Sequence, residues 1–367
     1  MEFKIEKEIF LKALGQIQGI IEKKHTIPIL ANVHINAKNN ELTLTATDLE
    51  IGVRSKFSTQ IIEDGKITVS AKKLFEIIRE LPDKEINFKS KDNCWIEIKC
   101  DKSIFNLVGL SSDEYPKFPE FKSDNLLNIS SFKINEMIDK TIFSISNDET
   151  KYNLNGIFLK YEDEKLSMIS TDGHRLSYSF TDIEEKFILF DKGIILPKKG
   201  IFELRKIINK ENNNLEISIV DNNFIIIDEN TILIMRLVDG DFPDYKRVIP
   251  EKCENTSIIN KNEFFHALKR ISVLSSEKTK GIKINFTNNK AILTSSNPDL
   301  GDASEEIDIS YKGKDISIGF NSKYILDILQ AIDEEFIEFH LKDNLSPGMI
   351  EPEKNKNFIS VIMPMRL

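Results

Sequence analysis

The sequence predicts an α+β protein that is built from three copies of one domain. The first observation is a strand pair that ends in a polar corner, which begins at Thr47, Thr171 and Ser296. These corners recur about 125 residues apart. The second observation is the order of elements around each corner. An amphipathic helix precedes the strand pair, and a strand that runs into a second helix and a set of alternating strands follow it. This period indicates repeated domains rather than a solenoid.

The first helix of each copy is predicted from apolar residues at three- and four-residue spacing. These helices are expected over 6–24, 131–140 and 261–270. The second helices are expected over 70–80, 198–210 and 322–333, where Ser70, Pro197 and Asn321 are residues that favour helix starts. Each domain should therefore have two helices packed on antiparallel sheets.

The alternating strands are separated by asparagine pairs that favour hairpin turns, at 39–40, 222–223 and 288–289. The apolar run 104–107 is expected to be an edge strand that something must cover, although an internal strand is the alternative. The boundaries between copies fall near 119–121 and 250–252. These observations predict domains over 1–121, 122–250 and 251–367.

Composition describes a soluble globular protein. The chain has 367 residues, of which 40% are hydrophobic and 30% are charged, and its net charge is -9. No stretch approaches the ~18 apolar residues of a membrane span. The first residues show no signal pattern, which predicts a cytoplasmic protein without a membrane partner. Cys94, Cys100 and Cys253 form no CxxC pair, so neither a disulfide framework nor a metal site is expected.

The stretch 170–176 raises the possibility of catalysis, with Asp172 orienting His174. A general base needs a nucleophile or a metal beside it. The five histidines are scattered singly and no Gly-rich phosphate loop is present in the sequence, so nothing completes such a site. Asp172-Gly173 then serves as a turn. An enzyme that uses this pair and a scaffold without a ligand are the alternatives to a binding protein.

The predicted helices carry more basic than acidic residues, although the whole chain is acidic. In the helix from Lys198, the residues Lys199, Lys206 and Lys210 recur on the face opposite the apolar stripe. Solvated helix faces are commonly rich in lysine. If all the helices faced one partner, that partner would be a polyanion.

Four motifs give the chain a family resemblance over its whole length, and it resembles the bacterial DNA polymerase III beta subunits, the replication sliding clamps. The motifs occur in the family's order. They are Thr26-Ile27-Pro28-Ile29-Leu30-Ala31-Asn32 with Ala46-Thr47-Asp48-Leu49-Glu50, Tyr152-Asn153-Leu154-Asn155-Gly156 with Thr171-Asp172-Gly173-His174-Arg175-Leu176, Leu237 through Tyr245, and Met363-Pro364-Met365-Arg366-Leu367.

This resemblance implies three clamp-type domains and a head-to-tail homodimer that closes into a ring around duplex DNA. It implies a processivity factor without catalysis, cofactor or metal. The partners that it implies are the replicative polymerase alpha subunit, the clamp-loader complex, repair polymerases and other proteins with clamp-binding peptides.

The resemblance also implies a peptide-binding pocket between the second and third domains. An apolar slot with polar groups at its rim suits a short linear peptide. The matching residues are Leu154, Thr171, Gly173, His174, Arg175, Leu176, Pro243, Arg247, Val248, Asn321, Tyr324, Leu345, Ser346, Val361, Met363, Pro364, Met365 and Arg366.

Two further surfaces follow from the resemblance. The residues implied for DNA contact are Lys24, His25, Lys151, Tyr152, Lys198 and Lys199. The residues implied for the dimer interface are Lys73, Phe105 and Leu107 on one side and Val273, Leu274, Glu305 and Glu306 on the other. Family members often have an arginine near residues 23–25, where this chain has Lys24 and His25, so a weaker DNA contact is expected there.

Overall fold

A computed structural model describes residues 1–21, 27–121, 126–183, 192–208, 214–250 and 255–366. The chain forms two compact units. Unit 1 comprises Met1–Asn135 and Lys199–Leu237, and unit 2 comprises Glu136–Lys198 and Val238–Leu367. Across the described ranges, no helix is both long enough and apolar enough to span a membrane. Cys94 and Cys100 are free thiols, and Cys253 lies outside the described residues.

Six α-helices were expected, and six are present in the described residues. They are α1 (Lys7–Gln18), α2 (Ala71–Glu80), α3 (Ser131–Thr141), α4 (Lys198–Ile207), α5 (Lys261–Ile271) and α6 (Ser322–Gln330). Side-chain caps define several starts: the Ser70 hydroxyl accepts from the Lys73 amide, and the Asn321 carbonyl accepts from the Lys323 amide. The predicted helix starts at these two residues are therefore confirmed.

The strands are short, and their pairings among the described residues are all antiparallel. In unit 1 they are β1 (Glu2–Glu6), β2 (Asn32–Lys38), β3 (Glu41–Thr47), β4 (Ile51–Ser58), β5 (Gln60–Glu63), β6 (Gly65–Ser70), β7 (Glu85–Ser90), β8 (Trp95–Cys100), β9 (Ser103–Val108), β10 (Leu127–Ser130), β15 (Asn214–Val220), β16 (Asn223–Asp228) and β17 (Thr231–Arg236). In unit 2 they are β11 (Gly156–Glu162), β12 (Lys165–Thr171), β13 (Arg175–Asp182), β14 (Ile194–Pro197), β18 (Asn255–Asn260), β19 (Gly281–Thr287), β20 (Lys290–Asn297), β21 (Gly301–Asp308), β22 (Ser310–Lys312), β23 (Ile316–Asn321), β24 (Phe336–Leu341), β25 (Gly348–Pro352) and β26 (Phe358–Ile362).

Unit 1 contains two sheets. The smaller has the strand order β5-β1-β7-β8-β9, so β9, which contains the apolar run 104–107, is an edge strand as expected. The larger has the order β10-β15-β16-β17-β4-β3-β2-β6. Its β4–β17 pairing joins a strand of the first sequence repeat to a strand of the second, with Met235 opposite Ile51.

Unit 2 repeats this design. Its larger sheet has the order β14-β11-β12-β13-β26-β25-β24-β18-β22, and its smaller sheet has the order β21-β20-β19-β23. Here the β13–β26 pairing joins the second repeat to the third, with Leu176 opposite Val361. Each large sheet is therefore continuous across two repeats, a feature that the sequence analysis did not address.

Several predicted boundaries differ from the structure, and helix α4 ends at Ile207 rather than at residue 210. Helix α1 ends at Gln18 rather than continuing to residue 24, and the Ile20 amide bonds back to the Ile17 carbonyl in a tight final turn. Residues 22–24 lie outside the described part. Helix α6 ends at Gln330 rather than 333, and the Ala331 amide bonds back to the Ile328 carbonyl in a tight final turn. The turn predicted at 222–223 lies one residue earlier, since Val220 pairs with Asn223.

An aromatic cluster holds the start of the first repeat together. The rings of Phe3 and Phe88 stack with centroids 4.8 Å apart, and Phe10 from α1 meets both edge-on at 6.0 and 6.4 Å. All three side chains are fully buried. Because large buried rings contribute most of their area to the core, this cluster fixes α1 against the small sheet.

Replacing Phe88 by alanine should therefore lower the free energy of unfolding by about 3–5 kcal/mol, through lost burial and the cavity left behind. Phe132, whose side chain is 58% exposed, provides the matched control. Phe132→Ala should change stability by no more than about 0.5 kcal/mol. Chemical denaturation followed by circular dichroism measures both. Equal midpoints for the two variants would show that the cluster does not stabilise this part of the fold.

Candidate functional site

The corner that follows β12 is built from short local hydrogen bonds. The Thr171 hydroxyl donates to the Arg175 carbonyl at 2.6 Å, and Asp172 Oδ1 accepts from the amides of His174 and Arg175 at 2.9 and 3.0 Å. Gly173 has a φ of +92°, which suits glycine. Asp172 thus binds the backbone of residue 174, and among the described residues no hydrogen bond joins it to the imidazole. The geometry gives no support to the acid–base pair that the sequence had suggested.

Arg175 is buried at this corner and binds groups from three segments. Its Nε donates to Asp172 Oδ2 at 3.0 Å, and its Nη1 donates to Asp327 Oδ2 at 2.7 Å. Its Nη2 donates to the Phe143 carbonyl, and the guanidinium lies 4.4 Å from the centre of the Tyr324 ring. The planar, five-donor guanidinium suits this role better than a lysine would. The corner is therefore fixed to helix α6 of the third repeat.

A cavity of about 200 Å³ lies beside this corner, within unit 2. Buried Leu176 and Val361, which face each other across the β13–β26 pairing, supply an apolar wall. Half-exposed Val248 and Met363 lie at its opening. The cavity is lined by Leu154, Thr171, Gly173, His174, Arg175, Leu176, Phe242, Pro243, Asp244, Tyr245, Val248, Val361 and Met363.

The structure thus brings ten of the eighteen residues expected in the peptide pocket around one cavity. The remaining eight do not line it: Arg247, Asn321, Tyr324, Leu345, Ser346, Pro364, Met365 and Arg366. Tyr324 lies beneath Arg175 instead, and Asn321 caps α6. Leu345 is 72% exposed.

Sequence reasoning missed Phe242, Asp244 and Tyr245 as lining residues. The Phe242 ring stacks on Phe158 with centroids 4.9 Å apart, and the Tyr245 ring stacks on Tyr178 at 5.9 Å. Burial raises the pKa of Tyr245 to about 12, so its hydroxyl is protonated at neutral pH. Two aromatic residues beside Pro243 in a segment between repeats were the available signal.

The segment after β26 is held in place by its own backbone. The Met363 amide donates to the His174 carbonyl at 2.8 Å, and the Met365 amide donates to the Gly319 carbonyl at 2.9 Å. Pro364, which has no amide hydrogen, lies between these two bonds. This tether keeps Met363 at the mouth of the cavity and keeps the thioether side chain available to an adaptable site.

The residues expected to contact DNA are described in part. Lys24 and His25 lie outside the described residues. In unit 2, Lys151 and Tyr152 adjoin a short turn, and Lys198 Nζ donates to Asn147 Oδ1. Tyr152 is 60% exposed. In unit 1, Lys199 forms an ion pair with buried Asp48, which reduces its availability to an outside partner.

The residues expected at the dimer interface lie on or beside two sheet edges. In unit 1, Phe105 and Leu107 lie on edge strand β9, and Lys73 projects from α2 beside Glu76. In unit 2, Val273 is 74% exposed and Leu274 is half-buried after α5. Glu305 and Glu306 lie on edge strand β21, where Glu305 pairs with Arg270 (Nε–Oε2 3.0 Å) and Glu306 with Lys290.

The fold consists of repeated two-helix domains, and an apolar slot lies where two repeats join. These features are typical of a binding scaffold. Three models of one family match nearly the whole chain. The DNA polymerase III beta subunit N-terminal domain matches residues 1–119, its central domain 128–244 and its C-terminal domain 246–366. A beta sliding clamp from Rickettsia felis is 32% identical, and the match covers 99% of both chains.

Solved structures agree with this family. A putatively assigned DNA polymerase III beta subunit from Eubacterium rectale superposes with a TM-score of 0.94 at 30% identity. A Pseudomonas aeruginosa sliding clamp bound to griselimycin superposes with a TM-score of 0.95 at 31% identity, and both matches cover 100% of each chain. The chain belongs to the DNA polymerase III beta subunit family, the bacterial sliding clamps. It is accordingly a processivity factor with three clamp domains and a non-catalytic subunit of the polymerase.

Replacing Arg175 by alanine should lower the free energy of unfolding by about 3–5 kcal/mol, because it leaves partly buried Asp172 and Asp327 without their cation. Arg247→Ala is the matched control. Arg247 pairs with Asp244 at 2.8 Å, but its side chain is 85% exposed. Its loss should cost about 0–1 kcal/mol. Denaturant titration compares the variants, and a stable Arg175→Ala protein would contradict the proposed importance of this contact.

Proposed function

We propose that the cavity beside the 170–176 corner is the site where short linear peptides of client proteins bind. The observation that carries this proposal is the combination of an apolar wall from Leu176 and Val361 with half-exposed Val248 and Met363 at the rim. A cavity of this size accepts one or two large side chains of an extended peptide rather than a folded domain. Peptides with a glutamine followed by leucine and phenylalanine suit it, since the leucine and phenylalanine can fill the slot while the His174 edge offers polar contacts.

The eight expected residues outside the cavity are proposed to contact the flanking parts of the peptide. Exposed Leu345 and Arg247 suit contacts at the rim, where polar and adaptable groups are common. The proposed clients are the replicative polymerase alpha subunit, the clamp-loader complex, repair polymerases and other proteins with clamp-binding peptides. A cytoplasmic location and domain boundaries at 121 and 250 belong to the same proposal.

We also propose a head-to-tail homodimer in which β9 of one protomer meets the β21 edge of its partner. Both strands are sheet edges, and an exposed apolar edge strand is prone to aggregate unless it is covered. Phe105 and Leu107 lie on the same side of the sheet as buried Ile98 and Ile96, which are their cross-strand partners. They would therefore extend the core of the small sheet across the interface to exposed Val273.

Duplex DNA is proposed to pass through this ring and to contact its basic groups without sequence preference. Lys151, Lys198 and exposed Tyr152 are the described candidates in unit 2. Phosphate contacts fix position but do not read base sequence. Affinity should consequently fall as salt is added. Lys199 is the weakest candidate because Asp48 already neutralises it.

Truncation after Ile362 should abolish binding of a client peptide, because it removes Met363 from the slot and both backbone bonds of the following segment. Alanine in place of a single apolar anchor of the peptide should cost about 1–3 kcal/mol of binding free energy. Fluorescence anisotropy of a labelled peptide that contains Gln-Leu-Phe measures both effects. Unchanged affinity of the truncated protein would place the peptide site elsewhere.

The double variant Val273→Ala with Leu274→Ala should weaken the dimer, which sedimentation at low protein concentration detects. Each of these two experiments is the control for the other. The double variant should bind the client peptide normally, and the truncated protein should remain dimeric, since the two surfaces share no residue. A dimer that withstands the double substitution would contradict the proposed interface.

A further inference from the structure

The segments at the ends of the first and second repeats, which we name the first and second linkers, carry the same anchor motif. The motif is an aromatic residue, a proline, any residue and a second aromatic residue. The first linker has Tyr115-Pro116-Lys117-Phe118, and the second has Phe242-Pro243-Asp244-Tyr245. In both linkers, the two rings pack on a row of three cross-strand neighbours from three adjacent strands, and each ring contacts one of the two outer residues of the row. Only the second linker borders the proposed peptide slot.

The two rows differ in chemistry. Beneath the second linker the row is Phe158, Ile169 and Tyr178 on β11, β12 and β13. Beneath the first linker the matching row is His34, Thr45 and Arg54 on β2, β3 and β4. The Tyr115 ring stacks on His34 with centroids 5.3 Å apart, and the Arg54 guanidinium lies 4.1 Å from the centre of the Phe118 ring. The residues beneath the second linker are thus largely apolar, whereas the residues beneath the first linker are polar or charged.

In the first repeat, the place that corresponds to the proposed peptide slot is filled. Leu176 pairs with Thr171 at the slot, and in the first repeat Gly52 holds the same position opposite Thr47. A Cβ atom at Gly52 would lie only 3.0 Å from the Phe118 ring. Because Gly52 has no side chain, the Phe118 ring packs against the Gly52 backbone and contacts buried Ile225 and Ile234.

An open groove lies instead on the other side of the first linker. We name it the first-linker groove, and it is bounded by residues 112–120 and by strands β2, β3, β4 and β6. Its volume is about 860 Å³, whereas the corresponding cavity beneath the second linker has about 280 Å³. Tyr115 holds the linker in place, because its hydroxyl donates to the carbonyls of Asn32 and Thr45, each at 3.2 Å.

Four cations line this groove, and two of them, Arg54 and Lys117, have no ion pair among the residues that the structure describes. Lys56 pairs with Glu41 at 3.0 Å, and Lys66 pairs with Asp113 at 3.2 Å. For Arg54, no hydrogen bond or ion pair is found among the residues that the structure describes, and the Glu120 charge acts on it only through space. Burial lowers the pKa of Arg54 and also that of His34, where nearby Lys66 contributes.

We propose that the first-linker groove binds an acidic peptide segment of a partner protein, with a carboxylate held by the guanidinium of Arg54. One face of that guanidinium lies against Phe118, so its N–H edges remain for the two oxygens of a carboxylate. Asn36 and Thr43 lie in the adjacent cross-strand row and offer further hydrogen bonds to a peptide backbone.

A protein segment suits this groove better than DNA does. The buried residues of β2, such as Val33 and Ile35, alternate with His34 and Asn36 of the groove, so the groove lies on the sheet face opposite the core and its helices. This inference depends on the proposed function in one respect, namely that DNA contacts the face of the protein that carries the helices.

Binding of a fluorescein-labelled oligoglutamate peptide to the full chain at low salt tests the proposal. Arg54→Gln should weaken saturable binding at least tenfold, and Arg54→Lys should restore only part of it, because lysine keeps the charge but not the two-pronged geometry. Lys160→Gln is the matched control, since Lys160 occupies the position of Asn36 in the second repeat. It should leave binding unchanged.

The same variants are tested for the Gln-Leu-Phe peptide, inorganic phosphate and a short duplex DNA. An unchanged circular dichroism spectrum and denaturation midpoint show that Arg54→Gln is folded in unit 1, and normal binding of the Gln-Leu-Phe peptide shows that unit 2 is intact. Failure of that peptide with every protein would count against the slot alone. Oligoglutamate that does not saturate, or that binds Arg54→Gln as well as the unaltered chain, would overturn the proposal. Phosphate or DNA binding that needs Arg54 while oligoglutamate does not bind would overturn it as well.

Discussion

The contacts of the buried Arg175 guanidinium are the interaction on which the proposed peptide slot depends. One side chain joins the corner at Asp172, the carbonyl of Phe143 and helix α6 through Asp327. Without this cation the two carboxylates would repel each other in a partly buried setting. The corner, and with it Leu176 in the slot, is therefore positioned by a residue of the third repeat. A binding site formed by two repeats needs such a cross-repeat contact.

Backbone hydrogen bonds also join neighbouring repeats. Strand pairing joins β4 to β17 in unit 1 and β13 to β26 in unit 2, so each repeat completes a sheet with the next. At these junctions hydroxyl side chains meet in buried pairs: Thr231 with Ser55 at 3.1 Å, and Ser177 with Ser360 at 3.3 Å. Paired strands leave no free edge at the junction, which suits a protein made of linked copies. The slot lies where the second of these junctions meets a corner.

Much of this architecture was predictable from local sequence. The corner at Thr171 and Asp172 repeats at Thr47 and Asp48 because the same side-chain to backbone hydrogen bonds form in both, as with Asp48 Oδ1 and the Glu50 amide at 2.9 Å. Helix starts were predictable where an asparagine or serine caps the helix, as at Asn321. The edge position of β9 was expected for the apolar run 104–107, with an internal strand as the alternative.

Other features depend on distant contacts that no local pattern specifies. Lys199, one of the residues expected to contact DNA, pairs with Asp48, and 151 residues separate the two. The two linkers have similar sequences. In the first repeat, however, Gly52 has no side chain and the Phe118 ring fills the space, whereas in the second repeat Leu176 lines an open slot. That difference comes from a single side chain on a neighbouring strand, so it emerges only once the register of the strands is known.

Retention on DNA tests the central claim, which is that linked repeats form a closed ring and hold DNA by topology rather than by strong chemical contact. The protein is loaded with its clamp loader and ATP onto nicked circular DNA in high salt, and a restriction enzyme then linearises half of the sample. We expect the ring to remain on the circles and to leave the linear molecules rapidly, as gel filtration of labelled protein would show. Equal lifetimes on circular and linear DNA would contradict retention by topology.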